Sequence, residues 1–191
     1  MKKVLILLLT LTLVAGFAFA QEKASSVELT PYVDKGEFLA NVGIGWGGLS
    51  GGAEFTFYRI DIGGILPLTF GAAARACVDP GIFDANWTTF AAGGFATGHV
   101  GFKEINLPSG LTFLSNFDAY VGLGIGFASG TSDYYNDIKP GIGISTFEGA
   151  AYYLSDTFAI NLEYGYIGRI QYWSTWSYPV WYSTIGVILK L

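Results

Sequence analysis

The chain has 191 residues, of which 13% are charged and 51% hydrophobic, with a net charge of −5. Charge this sparse is unusual for a soluble domain, and the acidic balance gives no basic patch for nucleic acid. A single cysteine, Cys77, excludes an intrachain disulfide and reads as a small strand residue.

The first twenty residues form a unit of their own. Lys2 and Lys3 precede a mostly apolar stretch from Val4 to Val14, and Ala18-Phe19-Ala20 is a small-x-small cleavage site. The pattern is that of a secretory signal peptide cut before Gln21. No cysteine follows that would take a lipid anchor. Residues 21–36 read as a periplasmic lead-in and residues 37–191 as one barrel domain.

After the lead-in the chain alternates. A strand has period two, so alternation gives two chemically distinct faces. The first strand places Phe38, Ala40, Val42, Ile44 and Trp46 in one phase, with Asn41, Gly43 and Gly45 in the other. The second, about 52–60, sets Ala53, Phe55 and Phe57 against Glu54 and Thr56. A turn around 61–66 leads through Pro67 into a third strand with Leu68, Phe70, Ala72, Ala74 and Ala76 outward, and Thr69, Gly71, Ala73 and Arg75 inward. Proline is tolerated where a strand begins.

The fourth strand, about 88–103, has Phe90, Ala92, Ala96, Val100 and Phe102 in one phase, with Thr97, His99 and Lys103 in the other. Residues 106–110 break the pattern with Pro108 and Gly110. The fifth strand is the clearest: Phe117, Ala119, Val121, Leu123, Ile125 and Phe127 alternate with Asp118, Tyr120 and three glycines. A polar loop over 129–140 follows.

Reading Ser155-Asp156 as a two-residue turn pairs Tyr153 with Phe158, Ala151 with Ile160 and Glu148 with Glu163. The start of the sixth strand, 141–145, is out of phase with its end, which predicts a bulge near Ser145-Thr146. The seventh strand sets Phe158, Ile160, Leu162, Tyr164 and Tyr166 against Asn161, Glu163 and Gly165. The eighth, from about Val180, puts Trp181, Ile185, Val187, Leu189 and Leu191 outward.

Sidedness follows from the charges. On this reading Glu54, Arg75, Lys103, Asp118, Glu148, Glu163 and Lys190 all fall on the phase rich in Gly and small polar residues, and the apolar phase carries none. A Lys or Arg facing mid-bilayer lipid costs roughly 2–4 kcal/mol, so the apolar phase is the one that suits lipid. No later stretch is long and apolar enough for a spanning helix, while alternating strands make a hydrophobic chain without one. The fold class is therefore all-β: a closed, eight-stranded, antiparallel, up-and-down transmembrane barrel behind a cleavable signal peptide.

With these features the chain resembles the small eight-stranded outer-membrane proteins, the OmpA/OmpX-like barrel family. The resemblance covers about 38–191 and implies a bacterial outer-membrane location, with both termini in the periplasm. It also implies recognition of the last strand by the barrel assembly machinery. Family members usually close on an aromatic residue, and here the last residue is Leu191. Segments 47–51, 78–87, 129–140 and 168–178 then become the outer loops. Trp87, Tyr134, Tyr135, Trp173 and Trp176 in that set form an aromatic girdle or a surface for a ligand.

The inner charges are the candidate site. Glu54 lies within a residue or two of facing Arg75, and Glu148 faces Glu163, so a network of Glu54, Arg75, Glu148 and Glu163 is expected to fill the lumen. Eight strands enclose a space that side chains just fill, and the network satisfies buried charge or gates a path. His99, the one histidine, should face the lumen near the periplasmic end, in a polar network and away from an outer-leaflet substrate. One His and one Cys far apart make no zinc site, and the Gly-x-Gly runs read as inward glycines. The functional expectation is a monomeric outer-membrane protein with a structural or surface-interaction role, partnered by lipid, with no cofactor and no enzymatic activity. Beside it stand a narrow porin-like channel and, third, a lipid-modifying enzyme.

Overall fold

A computed structural model describes residues 30–62, 66–81, 87–101, 103, 115–133, 138–172 and 176–191. The proposed signal peptide and the site candidates Tyr134, Tyr135 and Trp173 lie outside the described residues. The strands are β1 (Phe38–Trp46), β2 (Gly48–Ile62), β3 (Leu66–Asp79), β4 (Trp87–Gly101), β5 (Phe117–Ser132), β6 (Ile138–Tyr153), β7 (Phe158–Tyr172) and β8 (Trp176–Lys190). Each pairs antiparallel with the next, and β8 returns to β1, so the sheet closes into a barrel. Leu39 stands opposite Lys190 and Trp46 opposite Ser183 across the closing seam.

Polarity is inverted relative to a soluble protein. Leu123 and Ile125 are 62% and 66% exposed on the outer face, whereas Glu54 and Glu163 inside are each 2% exposed. Val42, Ile44, Leu162 and Ile185 share the outer face. Outward positions of β1 to β5 follow the alternation of the sequence. Past Thr56 a register shift in β2 leaves Phe57 and Tyr58 both outside, and Ile60 and Ile62 continue that new phase.

The strands run further than the alternation suggests. β2 starts at Gly48, so the expected loop over 47–51 shrinks to Trp46-Gly47 between the paired glycines Gly45 and Gly48. Gly48 has φ +86°, and a Cβ there would lie 2.1 Å from the Val78 carbonyl oxygen, so no other residue fits this turn. Much of the expected loops over 129–140 and 168–178 is strand: β5 reaches Ser132, β6 starts at Ile138, and β7 and β8 extend to Tyr172 and from Trp176. Trp87 and Trp176, expected in loops, are the first residues of β4 and β8, and Trp87 is half-buried.

Two expectations for the sixth strand are corrected. The connection to β7 spans Leu154 to Thr157, where Leu154 and Ser155 both donate backbone N–H groups to the Phe158 carbonyl. Tyr153 therefore faces Ala159, and Gly149, not Glu148, faces Glu163. β6 also keeps one phase along its length, because its pairing with β5 has no shift from Gly141↔Ala128 to Tyr152↔Phe117. The irregularity lies in its pairing with β7, between Gly141 and Thr146, beside Gly168 with φ +59°. Ser145, Phe147, Ala151 and Tyr153 consequently point inward and are buried, and Glu148 is exposed on the outer face.

Residues 30–36 of the lead-in fold under the barrel end where β1 starts and β8 ends. Tyr32 and Val33 are buried, and the Tyr32 ring stacks on Tyr153 with centroids 4.5 Å apart. Lys190 Nζ donates to the Tyr32 carbonyl at 2.8 Å and pairs with Glu37 at 2.9 Å. The Gly36 N–H donates to the Thr56 carbonyl. Thr30 bridges to Lys103, beyond the end of β4.

Candidate functional site: a buried charge network in the lumen

The titratable Glu54, Arg75, His99, Asp118 and Glu163 of the network stand at inward positions of five strands. Glu54 on β2 and Arg75 on β3 are two residues out of direct register, since Glu54 faces Ala73 and Arg75 faces Gly52. Their side chains lean together, with Arg75 Nη2 donating to Glu54 Oε2 at 3.2 Å. On the far side Arg75 Nε lies 3.5 Å from Glu163 Oε2, an ion pair without hydrogen-bond alignment. The guanidinium also sits over the Phe147 ring, 4.6 Å from its centroid. Arg75 therefore spans the lumen from β2 to β7.

The second half of the network was not paired by sequence reasoning. His99 Nε2 lies 2.8 Å from Glu54 Oε1 and His99 Nδ1 lies 2.8 Å from Asp118 Oδ2. Each ring nitrogen faces a carboxylate, so Glu54, His99 and Asp118 form one chain across β2, β4 and β5. Thr97 donates its hydroxyl to Glu54 Oε1. Tyr182 donates to Glu163 Oε1 at 2.8 Å, and Asn161 donates to the Tyr120 hydroxyl at 2.8 Å. Three carboxylates thus face Arg75 and His99, and the hydroxyls of Thr97 and Tyr182 supply further donors.

Gly71 makes the reach from β2 to β4 possible. β3 lies between them, and a Cβ at Gly71 would stand 2.9 Å from Thr97 Oγ1 and 3.1 Å from Glu54 Oε1. That inward glycine, flanked by the inner-phase Glu54 and His99 on its two neighbours, was the available sequence signal for the Glu54–His99 pair.

Four candidates thus separate. The structure brings Glu54, Arg75 and Glu163 together, and it leaves Glu148 outside the wall. Phe95 and Phe147 meet edge-on at 4.9 Å and fill the lumen beside Arg75. A void of about 10 Å³ lies among Leu39, Asn41, Glu54, Arg75, His99 and Tyr120, the size of one water. Asn41 Oδ1 and Asp118 Oδ1 are buried without a protein hydrogen-bond partner. Both ring nitrogens of His99 are taken up by carboxylates, so this histidine does not face a hydroxyl nucleophile. Cys77 is buried and unpaired. Among the described residues no group of His, Cys, Asp and Glu is arranged to hold a metal ion.

No family model matches the chain, and no curated protein does. Among solved structures, Ail, the attachment invasion locus protein of Yersinia pestis, is 12% identical over 82% of this chain and 99% of its own, with a TM-score of 0.44. The outer membrane protein OprG from Pseudomonas aeruginosa is 13% identical over 85% and 99%, with a TM-score of 0.39. A de novo designed transmembrane β-barrel is 19% identical over 83% and 98%, also at 0.39. The chain's own eight antiparallel strands, closed in sequence order, make it an all-β up-and-down barrel.

Proposed function

We propose that the protein is an integral barrel of a bacterial outer membrane with a structural or surface-contact role and no enzymatic activity. It is inserted by the barrel assembly machinery after export and removal of residues 1–20. One observation carries this reading: Glu54, Arg75, His99, Asp118 and Glu163 are buried in the interior while Val42, Leu123, Ile125, Leu162 and Ile185 are exposed on the outside. Apolar residues spread over a whole outer wall need a lipid solvent. β2 to β8 have 14–16 residues each, more than the roughly 9–11 a tilted strand needs to cross a bilayer.

The occupied lumen favours this role over a narrow channel, since Arg75, Phe147, Phe95 and Tyr120 meet across it. Spin labels at Leu123 and Leu162 in reconstituted vesicles test the membrane assignment. Relaxation by a lipid-soluble reagent is expected, and relaxation by a water-soluble chelate alone would reverse it. In planar bilayers the expected record is flat. Discrete unitary conductance would replace the structural role with transport.

A further inference from the structure

Glu148 is a carboxylate on the wrong side of the wall. It is exposed on the outer face of β6, five residues from that strand's end at Tyr153, with Val121 and Tyr164 as its cross-strand neighbours. No hydrogen bond or ion pair engages it among the described residues. An ionisable residue at membrane depth is costly and marks a functional site, with its partner to be named.

The surrounding surface is concave. A groove of about 640 Å³ crosses the outer faces of β3 to β8. Its lining includes the small outward residues Ala96, Gly98 and Thr146, and it reaches the wall at Thr97 and Phe147, whose side chains face the lumen. Phe70 stands at one edge, and Tyr164 and Tyr166 pack on Trp181 at the other. Glu148 is the one charged residue in the lining.

We propose that this groove binds a phospholipid whose headgroup carries a primary ammonium, with the ammonium on Glu148 and an acyl chain along the groove. The carboxylate requires a cation that also donates hydrogen bonds, and a charge-assisted pair is strong where water is scarce. The Tyr164–Trp181 wall offers ring faces and polar tips suited to the same headgroup. A second copy of this chain fits less well. Its exposed cations among the described residues are Lys35, Lys139 and Arg169, none near the depth of Glu148. Two copies in one bilayer share a depth scale, and a twofold contact would set groove against groove and leave both unfilled. A flexible acyl chain fills a groove.

The inference rests on the outer face meeting lipid, so the test begins with insertion. The mature chain is folded into vesicles of phosphatidylethanolamine, phosphatidylglycerol and phosphatidylcholine in equal parts. It is then extracted, and retained lipid is counted by native mass spectrometry. Failure to insert would overturn the membrane reading and this inference together. Given insertion, the expected result is retention of phosphatidylethanolamine above the other two. In Glu148→Gln that retention should fall by about tenfold or more, the scale of one hydrogen bond to a charged group. Gly98→Leu should abolish it by filling the groove. A Cβ there meets only the Phe70 ring at 3.8 Å, so the barrel tolerates the change. Equal retention of the three lipids, or the same adducts in both variants, would overturn the inference while leaving the membrane reading intact. So would a dimer that Glu148→Gln dissolves.

Discussion

Arg75 reaches Glu54 at 3.2 Å across a two-residue register offset, and the same guanidinium stands 3.5 Å from Glu163 on the opposite wall. One cation therefore ties β2, β3 and β7 through the lumen. Arg75→Ala would leave both carboxylates without it. Breaking a buried pair costs roughly 3–5 kcal/mol, less where water can enter. The expected outcome is a lower urea midpoint in vesicle-folded protein. Adding Glu163→Gln should recover part of the loss, and adding Glu148→Gln should recover none, since that side chain is outside. Equal rescue by both would contradict the assignment of β6.

The inner glycines set a second expectation. A Cβ at Gly122 would fall 2.3 Å from the Phe147 ring, and one at Gly149 would fall 2.3 Å from the Tyr120 ring. Overpacking of this kind costs about 1–3 kcal/mol. Gly122→Ala and Gly149→Ala should both lower the unfolding midpoint. Gly94→Ala meets nothing within 4 Å and should leave it unchanged or raise it. Midpoints that fail to separate the two groups would show the lumen packed differently.

A pH effect is expected at the terminal end. Lys103 donates to Asp156 in the turn after β6, and this hydrogen bond, with the lysine charge, holds the Asp156 carboxyl below its ordinary value. A carboxyl depressed in the folded state adds stability above its unfolded pKa and loses it as pH falls through the folded one. NMR titration in micelles should find the Asp156 carboxyl below its ordinary value, and Lys103→Gln should return it toward that value. A value unmoved by Lys103→Gln would remove the contact.

Tyr32 seals that same end against Tyr153. Stacked aromatic pairs add about 0.5–1.5 kcal/mol beyond the area they bury. Tyr32→Ala should speed amide exchange at the ends of β5 and β6 while leaving the Arg75 level protected. Uniformly faster exchange would mean that the lead-in supports the whole barrel.

The strand count was legible because the outer phase is an apolar series through much of β1, β3, β5 and β7, as from Phe117 to Phe127 and from Phe158 to Tyr166. The β6 phase was not. In its second half Phe147 and Tyr153 fall in one phase and Tyr152 in the other, with Ala150 and Ala151 small in both, so hydrophobicity does not choose a side there, and the rule that charges point inward placed Glu148 inside. Packing chose otherwise: Phe147 and Tyr153 occupy the lumen, and Glu148 follows from period two. Within the site, Glu54, Arg75 and Glu163 were readable as inner charges. The Glu54–His99–Asp118 chain depends on closure of the wall and on the gap at Gly71, which no single strand displays.

The nine-residue β1 is much shorter than its neighbours, and its ladder with β8 stops at Trp46 opposite Ser183. Above that point β8 continues from Tyr182 to Trp176 without β1 beside it. Among the described residues, the cylinder is seamless through its middle and loses its β1–β8 ladder along one side of its collar. An open strand flank is a template for pairing with another chain, and proteins guard such flanks with proline. Pro179 stands in the middle of this stretch. Above the seam β1 gives this flank of β8 no partner, and Pro179 limits what can zip onto it.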